Sequence, residues 1–325
     1  MQHTTKEFTV SEDHNGLRLD LFLVEQLSCS RNVVKQYIDR GQVLRNNVLP
    51  KKAGDIVHTA DLVVIQPLVI TETKEEVQED TKAQQALLEA VQDIADTPDY
   101  VVIYKPAGLL MHANDHHDSV TVVAWLQKHY PEVVGVGDNL QRPGIVHRLD
   151  KDASGILVVA KNQEMFDNLK QQFKTRSVKK EYIVLVHGQF ENDEGSIDFP
   201  IDRSKDGKFV ARPAKGNRDT APSGKDAYTE WQVETRYLHY TLLKVRIHTG
   251  RTHQIRVHMY ANAHPVVGDT LYMQRSFLRY NNLPRLFLHA ARLSFADKEG
   301  TIVSYEHPLP EELISFLAHA RPYVS

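Results

Sequence analysis

The most constraining stretch of this chain is Gly144-Ile-Val-His-Arg-Leu-Asp-Lys-Asp-Ala-Ser-Gly155, followed by the apolar run Ile156-Leu-Val-Val-Ala160. The run reads as a buried strand. The charged loop before it then places the Asp150 carboxylate at the rim of a rigid sheet, with Arg148 two residues away. Functional side chains are often carried on such loops. Taken by itself, the loop reads first as a plain surface turn, and the rest of the chain has to reverse that reading.

At 325 residues the chain can hold one large core or two domains. Its net charge of −3 points to no nucleic-acid partner, so any such signal must come from local clusters of basic residues. A single cysteine, Cys29, excludes an intrachain disulfide and a cysteine-rich zinc site. The N-terminus lacks the apolar core of a signal peptide, and no apolar run is long enough to span a bilayer. The cytoplasm is the expected compartment.

Three regions are expected. Residues 1–66 contain a small module with a helix around Leu17 to Leu27, a second from Arg31 to about Asp39 behind a Ser30 cap, and strands at Val43-Leu44 and Leu62-Val-Val-Ile65. Arg31, Lys35, Arg40 and Arg45 face one acid there, Asp39. Arg31 and Lys35 lie one turn apart, which suggests an anion-binding face; a solvated helix face is the bland alternative. Residues 67–98 read as an acidic linker carrying Glu72, Glu75, Glu76, Glu79 and Asp80, with room for a short helix from Thr81 to Ala95. A larger domain is expected over 99–325. It opens with a strand at Tyr100–Tyr104 and a turn at Lys105-Pro-Ala-Gly108, then a helix capped by Asp118. A helix from about Gln163 to Lys174 and a strand from Lys180 to Val186 come after the Asp150 loop. A polar excursion from Pro200 to Asp226 and strands near 228–235 and 241–248 follow.

Two further clusters could carry chemistry. In His248-Thr-Gly-Arg-Thr-His-Gln-Ile-Arg-Val-His-Met259, Thr252 is placed to cap a helix with Arg256 in its first turn. Arg256 is either solvated or reaches a carboxylate and holds it ionised. His253 and His258 are five apart, not the four of a helical zinc pair, and no metal is expected. Tyr182 opens a strand directly after the basic residues Lys170, Lys174, Arg176, Lys179 and Lys180. A tyrosine in that position is usually structural, but at a basic rim it can stack on or hydrogen-bond to a base. Zinc-deaminase, dinucleotide and Walker signatures are absent.

In combination these strings resemble the RluA-type pseudouridine synthase family over about Asp99 to Leu317. The resemblance rests on Lys105-Pro-Ala-Gly108, Arg142-Pro-Gly-Ile-Val-His-Arg-Leu-Asp150 with Ser154-Gly155, Lys180-Glu-Tyr182, Gly250-Arg-Thr-His-Gln-Ile-Arg256, His264-Pro265, Gly268-Asp269 and Leu288-His-Ala290. Residues 16–66 separately resemble the alpha-L RNA-binding domain. The resemblance implies an α+β fold: a mixed, mostly antiparallel sheet with flanking helices around an RNA-binding cleft, behind a small N-terminal module. It implies isomerisation of uridine to pseudouridine in RNA without cofactor or metal. Asp150 would be the catalytic aspartate, Tyr182 the active-site tyrosine, Arg256 the arginine paired with Asp150, and Arg148 the side chain that replaces an extruded base. Lys179 and the module's Arg31, Lys35, Arg40 and Arg45 would contact RNA. Two departures stand out: Ala153 replaces a usual Thr or Ser, and Tyr104 stands where Asn is frequent.

The chemistry is coherent on its own terms. A carboxylate beside the sugar can attack or stabilise an oxocarbenium-like anomeric carbon. The uracil leaves and is retained, so one carboxylate suffices, while water must be kept out. A uridine in a helix must be flipped out. The expected substrate is structured RNA, foremost large-subunit ribosomal RNA, with transfer RNA as an alternative; a monomer with no membrane partner is expected. A non-catalytic RNA-binding or ribosome-assembly protein and a hydrolytic nucleosidase are the competing readings.

Overall fold

The computed structural model describes all residues except 1–4, 28, 30, 40, 67–73, 114–119, 205, 212–223 and 324–325. Two compact units, 1–78 and 79–325, divide the chain. No helix among the described residues is long and apolar enough to cross a membrane.

The first unit holds strand β1 (Lys6–Thr9), helices α1 (Leu19–Leu27) and α2 (Arg31–Asp39), and strands β2 (Val43–Arg45) and β3 (Leu62–Ile65). The strands form an antiparallel sheet in the order β1-β3-β2. Leu19, Phe22 and Leu23 of α1 pack with Val34 and Ile38 of α2 against Val43 and Val63. The i, i+3, i+4 spacing of these apolar residues turns one face of each helix onto the sheet. The Ser30 cap and Arg40 lie outside the described residues.

Helix α3 (Lys74–Glu89) runs across the boundary between the units, and strand β4 (Gln92–Asp96) follows it. Residues 67–98 are therefore not a plain linker over their whole length. β4 pairs antiparallel with β5 (Tyr100–Lys105) and forms one edge of the main sheet. Only Ile94 and Ala95 anchor it apolarly, and two apolar residues among acids gave too weak an alternation to be read as a strand.

The second unit continues through α4 (Val122–His129), β6 (Ser154–Ala160), α5 (Gln163–Thr175), β7 (Lys179–His187), β8 (Glu194–Ile197), β9 (Ile201–Arg203), β10 (Phe209–Ala211), β11 (Thr229–Arg236), β12 (Tyr240–Ile247), α6 (Gln254–Ala261), β13 (Leu288–Ala296), β14 (Ile302–Glu306) and α7 (Glu311–His319). Its nine-stranded sheet runs β4-β5-β6-β13-β7-β12-β11-β8, with β14 also paired to β13. Every pairing is antiparallel except β6 with β13. The fold is the α+β arrangement expected, a mixed and mostly antiparallel sheet with flanking helices.

Both faces of the central strands are covered, which is why their sequences are apolar at nearly every position. Val101, Ile103, Leu157 and Val159 join one core with α4 and α6. Tyr100, Val102, Ile156 and Val158 join another with Met165, Phe166 and Leu169 of α5. Thr121 caps α4 by accepting from the Ala124 amide at 3.1 Å, while Asp118 falls outside the described residues. The excursion after Pro200 contains a short hairpin, β9 against β10.

The parallel contact of β6 with β13 depends on Gly155. Its φ is +131°, and a Cβ there would lie 2.4 Å from the backbone of Ala290. Any side chain would push β13 away from the residues that follow the Asp150 loop.

Candidate active site

Asp150 is fixed from both sides by its loop. On one side, His147 Nε2 accepts the Val158 amide of β6 at 3.0 Å, and the ring stacks on Phe173 at 4.8 Å. On the other, the Lys151 carbonyl accepts from Lys105 Nζ at 3.0 Å and from the Gly108 amide at 2.8 Å. Leu149 and Ala153 are buried in the core on either side of Asp150. The Asp150 side chain keeps 15% exposure.

Lys105 has no solvent exposure. Its ammonium also donates to the carbonyls of Pro106 (2.8 Å) and Leu109 (2.9 Å), tying the Lys105-Pro-Ala-Gly108 turn to the Asp150 loop. Burial pushes its pKa down to about 7, opposed by the charges of Asp150 and Asp152. Its three donated hydrogen bonds favour the charged form.

The loop before α6 is held by Gln254, which is buried. Its side-chain oxygen accepts from Thr249 Oγ1 (2.6 Å) and the Arg251 amide (3.1 Å), and its Nε2 donates to the Tyr228 carbonyl and to Thr229 Oγ1 (both 3.0 Å). The residue capping α6 is His253, in the left-handed region at φ 57°, rather than Thr252, and its side chain makes no cap bond. Its Nδ1 is paired with the Tyr272 hydroxyl at 2.9 Å. His258 pairs with Thr229 Oγ1 and the Phe199 carbonyl, both at 2.9 Å. Both histidines are thus engaged within the protein.

Arg256 is brought to Asp150 by a single contact. Nη1 faces Asp150 Oδ2 at 3.5 Å. The bidentate fork goes to Asp269, with Nε to Oδ2 at 2.7 Å and Nη2 to Oδ1 at 2.9 Å. Asp269 is buried and also accepts the amides of Leu271 (2.8 Å) and Tyr272 (2.9 Å). The guanidinium lies 5.1 Å from the Tyr272 ring centroid. Burial alone would lower the Arg256 pKa; hydrogen bonds and charge from Asp269, then Asp150, outweigh it and raise it.

Asp150, Arg148 and Tyr182 line one cleft of about 500 Å³. Among the described residues Asp150 is its only carboxylate, with Arg142, Arg148, Lys174, Arg176, Lys180 and Arg251 around it. Tyr182 is buried, and burial together with the Asp150 charge raises its pKa, which keeps the phenol protonated. Arg148 is exposed. Lys179 is also exposed but does not line the cleft, because alternate strand residues face opposite ways: Lys180 shares the cleft with Tyr182.

The module's basic residues divide. Arg31 Nε donates to Asp20 at 2.8 Å, a partner shared with Arg18. Arg45 bonds to the Ile56 carbonyl and lies 3.7 Å from Asp61. Lys35 is exposed. The two departures are accommodated: Ala153 is buried among apolar side chains, and Tyr104 stacks on His307 at 4.1 Å with an 8° tilt.

Residues 99–261 match the RNA pseudouridylate synthase family. The chain belongs to that family. Residues 17–63 match the S4 domain. An RNA pseudouridine synthase of Synechocystis sp. is 35% identical over 96% of this chain and 91% of its own length. Ribosomal large subunit pseudouridine synthase D of Nitrosomonas europaea is 32% identical over 98% and 88%. The solved structure of human RNA pseudouridylate synthase domain containing 1 superposes with a TM-score of 0.58 at 27% identity, covering 73% of this chain and 90% of that one. The protein is an isomerase that converts uridine in RNA to pseudouridine.

Sequence reasoning missed Asp269, Lys105 and Gln254 as the supports of the site. The available signals were a lysine closing an otherwise apolar strand and an aspartate directly after Gly268.

Proposed function

We propose that this chain isomerises specific uridines of large-subunit ribosomal RNA, with Asp150 as the catalytic carboxylate. The observation carrying this reading is the single carboxylate among the described residues of a cationic cleft, faced by the Arg256 guanidinium at 3.5 Å. The ribosomal substrate is supported by the name of the Nitrosomonas europaea relative.

In this reading Asp150 engages the anomeric carbon as the bond from C1′ to N1 of uracil breaks. The base turns within the cleft, C5 bonds to C1′, C5 loses its proton, and N1 gains one. Arg256 keeps Asp150 ionised and aimed. Tyr182, protonated and beneath the base, packs the reacting ring and helps exclude water. Arg148 fills the gap left by the flipped uridine. Residues 1–66 serve as an RNA anchor and 99–325 as the catalytic part. The protein acts as a monomer in the cytoplasm.

The test is mapping pseudouridines in ribosomal and transfer RNA of a strain lacking the gene. Loss of one or more sites in large-subunit RNA supports the reading; losses confined to transfer RNA overturn its substrate.

A further inference from the structure

We propose that Lys180 is a phosphate-binding residue of the cleft, its ammonium taking a backbone phosphodiester of the RNA strand that enters it. The inference rests on the functional reading above only in taking RNA as the occupant.

Lys180 sits two residues before Tyr182 on the same face of β7 and lines the cleft. Its ammonium lies 5.5 Å from the Phe173 ring centroid. Its hydrogen-bond partner is the Thr249 carbonyl, at 3.5 Å. Among the described residues no carboxylate comes within salt-bridge distance of it. The neighbouring acid on the strand, Glu181, points to the other face and pairs with Arg246 at 3.0 Å. A largely buried cation without an anion is unfavourable, and burial lowers the Lys180 pKa to about 8.

The groups lining the cleft around it do not supply that anion. Lys174 and Arg176 come from the end of α5, and His248 and Arg251 from the loop before α6. His147 is kept neutral, and Asp150 is faced by Arg256. Uracil is uncharged. The anions an RNA brings into such a cleft are its phosphodiesters, and lysine binds them as a point charge.

The test measures affinity of the full-length protein for an RNA hairpin with uridines in its loop, by fluorescence anisotropy at fixed salt across pH 6.5 to 8.8, where uracil stays uncharged. Phosphate binding favours charged Lys180, so wild-type affinity should hold below pH about 8 and weaken above it. Lys180→Arg should bind with no such decline. Lys180→Met, which keeps the stem on Phe173, should bind about tenfold more weakly at pH 7, also without the decline. Single methylphosphonate replacements along the loop should include one linkage that weakens wild type but not Lys180→Met. A wild-type profile without the alkaline decline, or a decline retained in Lys180→Arg, overturns the proposal. So does a Lys180→Met loss that no linkage reproduces, since that indicates a base contact. Tritium release from carbon-5-labelled uridine RNA reports the isomerase reading separately: release without the Lys180 signature sinks only this inference, and the signature without release sinks only the catalytic reading.

Discussion

Arg256 divides its guanidinium unequally between two aspartates, giving Asp269 a fork at 2.7 and 2.9 Å and Asp150 one contact at 3.5 Å. The buried acid anchors the arginine, and the arginine addresses the acid in the cleft. Asp269→Ala should therefore lower both stability and turnover. Leaving a buried guanidinium without its main partner should cost about 3–5 kcal/mol, read from denaturant midpoints. Unchanged stability with full turnover would remove Asp269 from the account.

Arg256→Lys keeps the charge but cannot hold the fork and face Asp150 together. Loss of one charge-assisted hydrogen bond, about 1.5–3 kcal/mol, should appear as a kcat roughly tenfold to a hundredfold lower, with RNA affinity little changed. Full kcat in this variant would contradict the positioning role.

His147 should make the fold acid-sensitive. Its ring is pushed from 6.5 down to about 3 by burial, reinforced by the Lys180 charge, and Nε2 accepts an amide that a protonated ring could not bond. Below pH 6.5 the unfolded chain takes up a proton that the folded chain refuses, so the contribution is fully present above pH 6.5 and lost as pH falls towards 3. His147→Gln, whose oxygen can keep the acceptor without titrating, should flatten the stability profile between pH 7 and 5 in urea denaturation. An equal acid loss in both proteins would assign the sensitivity elsewhere.

Deleting residues 1–66 should raise KM on long structured RNA and reduce its salt dependence, with less effect on a minimal hairpin. The S4 match at 17–63 and the exposed Lys35 motivate this. Equal losses on both substrates would mean that the segment supports the fold of the remainder.

Much of the site could be read from the chain because its signals are local. The apolar run of β6, the helix α5 and the strings around Asp150, Tyr182 and Arg256 declare themselves within a few residues. What escaped depends on contacts distant in sequence. Asp269 is thirteen residues beyond the arginine it anchors. Lys105 acts on a carbonyl 46 residues away. The choice between Lys179 and Lys180 turns on one step of strand register, which basic composition does not encode.

The most direct test of the central claim is tritium release from carbon-5-labelled uridine RNA by wild type and Asp150→Asn, with RNA affinity measured in parallel. Most hydrogen bonds to nucleic acid are made to phosphate and sugar, and Asp150 is the one acid among the described residues lining the cationic cleft. The account predicts release by wild type, none by Asp150→Asn, and affinities within a few-fold of each other. Wild-type turnover by Asp150→Asn would contradict it.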